Sequence, residues 1–433
     1  MDPRERATSL PRTLGWASVA AYGLGAILGA GVYSVIGAAA GRVGDGMWLA
    51  FLISAVVALI TALAYAELAT MFPRAGGEFL YVQRAMPEGR ILSFTVGAMM
   101  AVAAAATAAT VAIAFGGYLS ALASIPTGVA APLLVAILAG VAIIGVREST
   151  TMVALFTCIE AGGLVLVIVL GATSERFGEA LAAVPTDGLL SGAALVFFAY
   201  LGFENIVNLA EETREPERNL PRAILASVGG ATLLYLLVAL AVVALIPAGD
   251  LARSDAPLAD AVGTRSSALS GALGGIALFA TANTAMAALI SGSRILYAMA
   301  REGRLPAALA RVGVARRTPW VATLAVAGTA LALVPLGDVA IVAGLTSFAS
   351  LLAFAAVNAS VVVLRVRAAS TPRPFHVPWA VGRVPVLSLL GAVLALVLVT
   401  QLDTHVLVAG AVLLALLVGA SLLPVTRRRR APA

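Results

Sequence analysis

The sequence predicts an all-α integral membrane protein of 12 transmembrane helices, with the first and sixth interrupted at mid-membrane. Three observations predict it. The 433 residues are 61% hydrophobic and 12% charged, with a mean hydropathy of +1.01; the charged share is about half that of a soluble domain. Apolar runs of about 18 or more residues recur along the chain, each long enough to cross the hydrocarbon layer. Glycines beside small or polar residues break the first and sixth of these runs near their centres, where lipid offers a loosened backbone no hydrogen-bond partner.

The hydropathy places spans at 14–41, 47–71, 90–121, 129–146, 151–173, 189–212, 223–247, 267–299, 319–336, 338–364, 384–402 and 404–424. The N-terminal MDPRERATSLPRTLG carries charges but no apolar stretch followed by a small-residue cleavage site, so no signal peptide is expected. All 28 basic residues are arginine. With a cytoplasmic N-terminus, only Arg42, Arg176, Arg253 and Arg265 fall outside, and the other 24 (28 minus 4) lie inside. Asp45, Glu175, Glu179, Asp187, Asp250, Asp255, Asp260, Asp338 and Asp403 populate the outer connections. This asymmetry predicts both termini inside and an even span count. It also accounts for the basic balance without nucleic acid as a partner. Arg427 to Arg430 fit a tail pinned to the anionic inner leaflet.

The first span reads GLGAILGAGVYSVIGAAAG over Gly23 to Gly41. Gly25, Gly29 and Gly31, with Ala26 and Ala30 between them, let the backbone open and turn peptide groups toward a solute. Close helix packing through the Gly25–Gly29 pair is the alternative. The next connection, MFPRAGGEFLYVQRAMPEGR, is broken at Pro73 and Gly76–Gly77 and then supplies an amphipathic element at Phe79, Leu80 and Tyr81. The third and fourth spans are Ala-rich. Runs such as Ala103 to Ala106 suit either close packing or room for a ligand.

The fifth span holds Glu160, on one helix face with Thr157 and Leu164. An intramembrane carboxylate faces a cavity or a partner. Handling of a proton or cation and a structural hydrogen bond are the two readings. Cys158, the single cysteine, excludes an intramolecular disulfide and a Cys-rich metal site. His376 and His405 fall at a loop and a span edge, as interfacial residues rather than ligands.

The sixth span reads FFAYLGFENIVN at its centre, with Gly202, Glu204 and Asn205 at mid-membrane. It opens a second set of five helices as Gly23–Gly41 opens the first. Interrupted helices at matching places in two halves are the sequence mark of inverted-repeat transport. Glu204 either contacts a ligand or bonds a backbone N–H freed by the break. The following AEETREPERNLPRAI alternates Glu211, Glu212, Glu215 and Glu217 with Arg214, Arg218 and Arg222. Pro216 and Pro221 are expected to chop it into short turns. It reads as a solvated loop or as an inner gate of weak ion pairs. Thr281, Asn283, Thr284, Ser291 and Ser293 on the eighth span, and Thr346, Ser347, Ser350 and Asn358 on the tenth, offer oxygens to a cation or to backbone groups. Spans eleven and twelve are plain apolar helices outside the working core.

GLGAILGAGVYSVIG, AELATMFPRAGGEFLYVQRAM, FFAYLGFENIVNLAEETREPERNLPRAI and SRILYAMAREGRLP, in this order over residues 14–306, resemble the amino acid–polyamine–organocation transporters, specifically prokaryotic amino acid permeases. The resemblance implies a leucine-transporter-like core: a first repeat at 14–173, an inverted second repeat at 189–364, and two peripheral helices at 384–424. It implies that a substrate carboxylate meets N–H groups around Gly29, Ala30 and Gly31, and that an ammonium meets the carbonyls of Ile27, Phe198 and Leu201. Phe198 stands where relatives often carry an aromatic gate. Gly202 marks the second break, and Ala104–Thr107, Phe115, Phe198 and Phe203 are candidates for an apolar side-chain pocket. Proton-coupled relatives carry a lysine on span five; this chain has no lysine and places Glu160 there. Glu160, Glu204 and Thr284 are therefore the coupling and gating candidates, for H+ or, alternatively, Na+.

The expected function is secondary active transport by alternating access, with H+-coupled uptake of neutral amino acids. A cationic amino acid or polyamine transporter or exchanger is the alternative, and a non-transporting sensor a further one. No cofactor or obligate protein partner is expected beyond the substrate and the bilayer of the inner (plasma) membrane. An enzyme would need a mid-membrane Ser/His pair, paired aspartates or a metal triad, and the sequence supplies none.

Overall fold

A computed structural model describes residues 14–73, 77–144, 150–185, 187–210, 212–313 and 318–422. The N-terminal arginines, Gly76, Glu211 and the arginine tail lie outside these residues.

Among the described residues, twelve apolar helical segments follow one another, in the order the hydropathy predicts. Ten are long and apolar enough to cross a membrane, and Trp320–Leu336 and Val386–Thr400 are shorter apolar helices. The first span is two helices, Trp16–Leu28 and Gly31–Val43. The second, Trp48–Met71, leads into a short helix at Gly77–Ala85. The third to fifth are Arg90–Ala123, Thr127–Ile144 and Thr150–Ala172. The sixth begins as Leu189–Val196 and then abandons the α-helix for tight turns at Phe197–Tyr200 and Phe203–Leu209. The seventh, Pro216–Leu245, the eighth, Ser267–Arg301, and the tenth, Val339–Arg367, are long and continuous. Val386–Thr400 and Thr404–Leu422 close the chain.

Packing is set by small residues. A β-carbon at Gly292 would stand 2.9 Å from that of Ala104, and Ala103, Ala105 and Ala106 are all buried. The alanine run of the third span thus serves close helix contact with the eighth. The first half-helix packs on the fifth and seventh spans, and the two halves of the first span meet the matching parts of the sixth. The last helix packs against the third and tenth spans, and only 11% of its apolar window is buried, as fits a peripheral element.

Two expectations about the charged connection after the sixth span are corrected. Pro216 and Pro221 do not chop it: Pro216 opens the seventh helix and Pro221 sits inside it. Pro216 takes a first-turn position, where no intrahelical donor is needed. Pro221 deprives only the carbonyl four residues back, at exposed Glu217, of its partner. Nor do ion pairs hold the loop. Among the described residues, Glu212, Glu215, Glu217, Arg214, Arg218 and Arg222 join none. Backbone pairing does the work instead: Leu14 N–H donates to Glu212 O (3.1 Å) and Arg214 N–H to Leu14 O (2.8 Å). Peptide groups make a more stable tie than solvated side-chain charges, which gain little from pairing.

The buried ion cluster lies elsewhere. Glu67, near the end of the second span, takes Arg365 Nε at 3.0 Å, Val377 N–H at 2.8 Å and Arg373 at 3.5 Å. Arg365 also donates to Val377 O at 2.9 Å. Every oxygen of the carboxylate is therefore engaged, which a buried charge requires.

Candidate functional site

The first interruption is two residues long. Gly29 turns away from the helix at φ −22°, ψ −135°, while its N–H still bonds Gly25 O at 3.1 Å. Ala30 N–H leaves the ladder and donates to Thr284 Oγ1 at 2.8 Å. The helix resumes at Gly31, and Ser34 closes the new turn through Ala30 O, with N–H at 2.9 Å and Oγ at 2.7 Å. The Gly29 and Ala30 N–H groups are thus both bonded within the protein, and the second half-helix presents its N-terminal, positive end at Gly31.

The second interruption is longer. Leu201 is extended, at φ −67°, ψ 144°, and Gly202 takes φ +129°, a conformation open to glycine alone. Its N–H donates to Glu204 Oε2 at 2.7 Å. Glu204 thus bonds the backbone donor that the break releases. Asn205 N–H returns to Gly202 O at 3.0 Å, and Asn205 Oδ1 accepts from Ser291 Oγ at 3.1 Å. Phe198 is buried, and its carbonyl takes Leu201 N–H at 3.3 Å.

The two breaks touch backbone to backbone. A β-carbon on Gly31 would lie 2.7 Å from Ala199 Cα, and one on Gly202 would lie 2.6 Å from the Ala26 carbonyl carbon and 2.9 Å from Ile27 N. Tyr235 of the seventh span joins them. Its hydroxyl lies 2.5 Å from Ile27 O and 3.0 Å from Ala199 O, so one proton serves a carbonyl from each broken helix. Sequence reasoning missed Tyr235. The available signal was a lone tyrosine in the middle of an apolar helix, where a buried phenol must find a partner.

Phe203, a candidate for the pocket wall, sits among aromatic rings. It is fully buried, with its ring 5.4 Å from both Tyr65 and Phe354. It packs beneath the break. Tyr65 in turn donates to Glu78 of the short helix at 2.5 Å.

Glu160 is fully buried on the fifth span. Oε1 accepts from Asn283 Nδ2 at 3.3 Å, and Oε2 is buried with no protein partner. Its backbone carbonyl accepts from Tyr33 at 3.2 Å. Asn283 and Thr284 are adjacent, so the eighth span reaches Glu160 with one side chain and the first break with the next. Glu160 and Thr284 thus belong to one site with the first span, and Glu204 belongs to the sixth.

Two discontinuous helices that meet at their breaks, inside a bundle of continuous ones, define a membrane transporter of the leucine-transporter-like class. The chain belongs to the amino acid permease family, whose model matches residues 14–420. It is accordingly a multi-pass transporter and not an enzyme, with a five-plus-five inverted-repeat core and two further helices. It is 32% identical to an uncharacterized transporter of Mycobacterium tuberculosis (84% of this chain, 83% of that one). It is 33% identical to the vacuolar cationic amino acid transporter 2 of Arabidopsis thaliana (82% and 60%). It is 28% identical to the branched-chain amino acid permease of Bacillus subtilis (91% and 89%).

Proposed function

We propose that this chain carries neutral amino acids inward by alternating access, coupled to H+. The observation that carries the reading is the pair of breaks in contact. One opens a half-helix N-terminus at Gly31 and Val32, and the other brings carbonyls at Phe198 and Leu201. A zwitterion leaving water needs its carboxylate and ammonium met by opposite dipoles, and this crossing supplies both signs. The carboxylate binds at Gly31 and its neighbours, and the ammonium at Ile27, Phe198 and Leu201. The repeats run over 14–173 and 189–364, with 384–424 at the periphery. Both termini face the cytoplasm of a cell whose inner membrane holds the protein.

Glu160 is the coupling group in this reading. Its bare Oε2 is costly as an oxyanion and comfortable as a protonated oxygen. A proton taken there neutralises the fifth span beside the first break, and Asn283 and Thr284 pass the change to Ala30. The test is uptake into proteoliposomes with an imposed pH gradient, using the amino acids that stabilise the protein in a thermal-shift panel with and without Na+. Glu160→Gln is expected to flatten the pH dependence of uptake. An unchanged pH profile removes Glu160 from coupling.

A cationic amino acid or polyamine is the second reading. The unpartnered Glu160 oxygen favours it, and so does the name of the Arabidopsis relative. Greater stabilisation by arginine or a polyamine than by leucine in the same panel would select it.

A further inference from the structure

The connection between the tenth and eleventh spans carries a small antiparallel hairpin, Ala380–Val381 paired with Val384–Pro385, turned at Gly382 and Arg383. Its root is fixed: both the N–H and the carbonyl of Val377 are tied into the buried Glu67–Arg365 cluster. Its tip is open. Trp379 is 76% exposed and Val381 75%. Trp379 also holds φ +59°, a left-handed backbone rare for a bulky aromatic, and is braced by Val386 N–H on its carbonyl at 2.9 Å. The fold thus constrains the backbone to present an indole outward.

Two further observations say what covers it. The surface is continuous with the lipid-facing one: the hairpin runs directly into the eleventh helix, whose Leu389, Leu390 and Val393 are exposed. The charge is one-sided. No acid occurs between Asp338 and Asp403, whereas Arg365, Arg367, Arg373 and Arg383 do. Glu67 engages Arg365 and Arg373. Arg367 and Arg383 are exposed and join no ion pair among the described residues.

We propose that this hairpin is a docking site for anionic phospholipid. Trp379 and Val381 seat at the boundary of headgroups and acyl chains, where an amphipathic ring is most at home. Arg367 and Arg383 meet the lipid's negative headgroup. The site is wired to the transport core. Val377 grips Glu67 on the second span and Arg365 on the tenth, and the second span holds the sixth through Ser54 Oγ to Ala193 O (2.6 Å) and Tyr200 to Phe51 O (3.0 Å). Anionic lipid at the hairpin therefore steadies the frame against which the broken helices move.

The test uses the full-length chain in phosphatidylcholine vesicles doped with brominated phosphatidylcholine or brominated phosphatidylglycerol. The chain has four tryptophans, so the difference between wild type and Trp379→Phe isolates the Trp379 emission. Brominated phosphatidylglycerol is expected to quench that component more strongly than brominated phosphatidylcholine. Arg367→Gln with Arg383→Gln is expected to lower the preference by about fivefold or more. Monodisperse elution of each variant serves as the folding control; all three replaced residues are exposed. Equal quenching by the two lipids overturns the anion selectivity. Quenching by aqueous iodide with none by either lipid places the ring in water and overturns the site. A preference that survives the double arginine variant overturns the assigned contacts.

Discussion

The first span loses its helix for two residues, Gly29 and Ala30, whereas the sixth leaves the α-helix at Phe197 and, among the described residues, regains none before the next helix at Pro216. The repairs differ accordingly. At the first break the released donor is bonded by a side chain from another helix, Thr284 on the eighth span. At the second it is bonded from within, by the carboxylate of Glu204 two residues on. A short break borrows its partner and is coupled to whatever moves that partner. A long break carries its own and is self-contained. In the proposed coupling, the first is therefore the better place to receive a signal from Glu160 through Asn283 and Thr284, and the sixth the better place to hold a fixed contact surface.

The largest expected effect comes where backbone meets backbone. Gly202→Ala drives a β-carbon toward the Ala26 carbonyl and forces φ +129° on an L-residue, so nothing nearby can yield. The backbone conformation alone costs about 1–3 kcal/mol. Uptake is expected to be lost with a marked drop in thermal stability, and near-normal uptake would mean that the two breaks do not pack as described. Tyr235→Phe comes next. It removes the proton shared by the Ile27 and Ala199 carbonyls, for about 1–3 kcal/mol, or about 5- to 150-fold in uptake. If the initial rate is unchanged, the bridge between the breaks is dispensable. Gly29→Ala is the mildest of the three. Its β-carbon overlaps the Thr284 hydroxyl and otherwise makes ordinary contacts at 3.4 Å or more; the hydroxyl can swing aside at the loss of the Ala30 hydrogen bond, worth about 1 kcal/mol. A Gly29→Ala variant as damaged as Gly202→Ala would erase the distinction between a borrowed and a built-in repair.

Much of this arrangement is legible in the chain. Glycine at mid-membrane marked both breaks, because only the absence of a β-carbon permits the approach of Gly31 to Ala199 and of Gly202 to Ala26. Glu160, Glu204 and Thr284 stood out because a polar group in lipid needs a partner, and each has one. What stayed hidden depended on contacts across long separations. Glu67 and Arg365 lie 298 residues apart, and Tyr235 and Ile27 208. No local spacing announces such pairs. At Phe203 an aromatic beside a break suits either a pocket wall or a core, and its ring contacts with Tyr65 and Phe354 come from elements far off in the chain. The charge run after the sixth span allowed a solvated loop or a gate of ion pairs; among the described residues its charges join no ion pair, and backbone pairing to Leu14 ties the loop.

The central claim is that bare peptide groups at the crossing hold both charges of a zwitterion. It is tested most directly by competition against uptake of the amino acid that most stabilises the protein, using the free amino acid, its methyl ester and its N-acetyl derivative. The account predicts that only the free amino acid competes, because either modification leaves one set of helix-end dipoles unanswered. Competition by the ester or the N-acetyl compound at the potency of the free amino acid would contradict it.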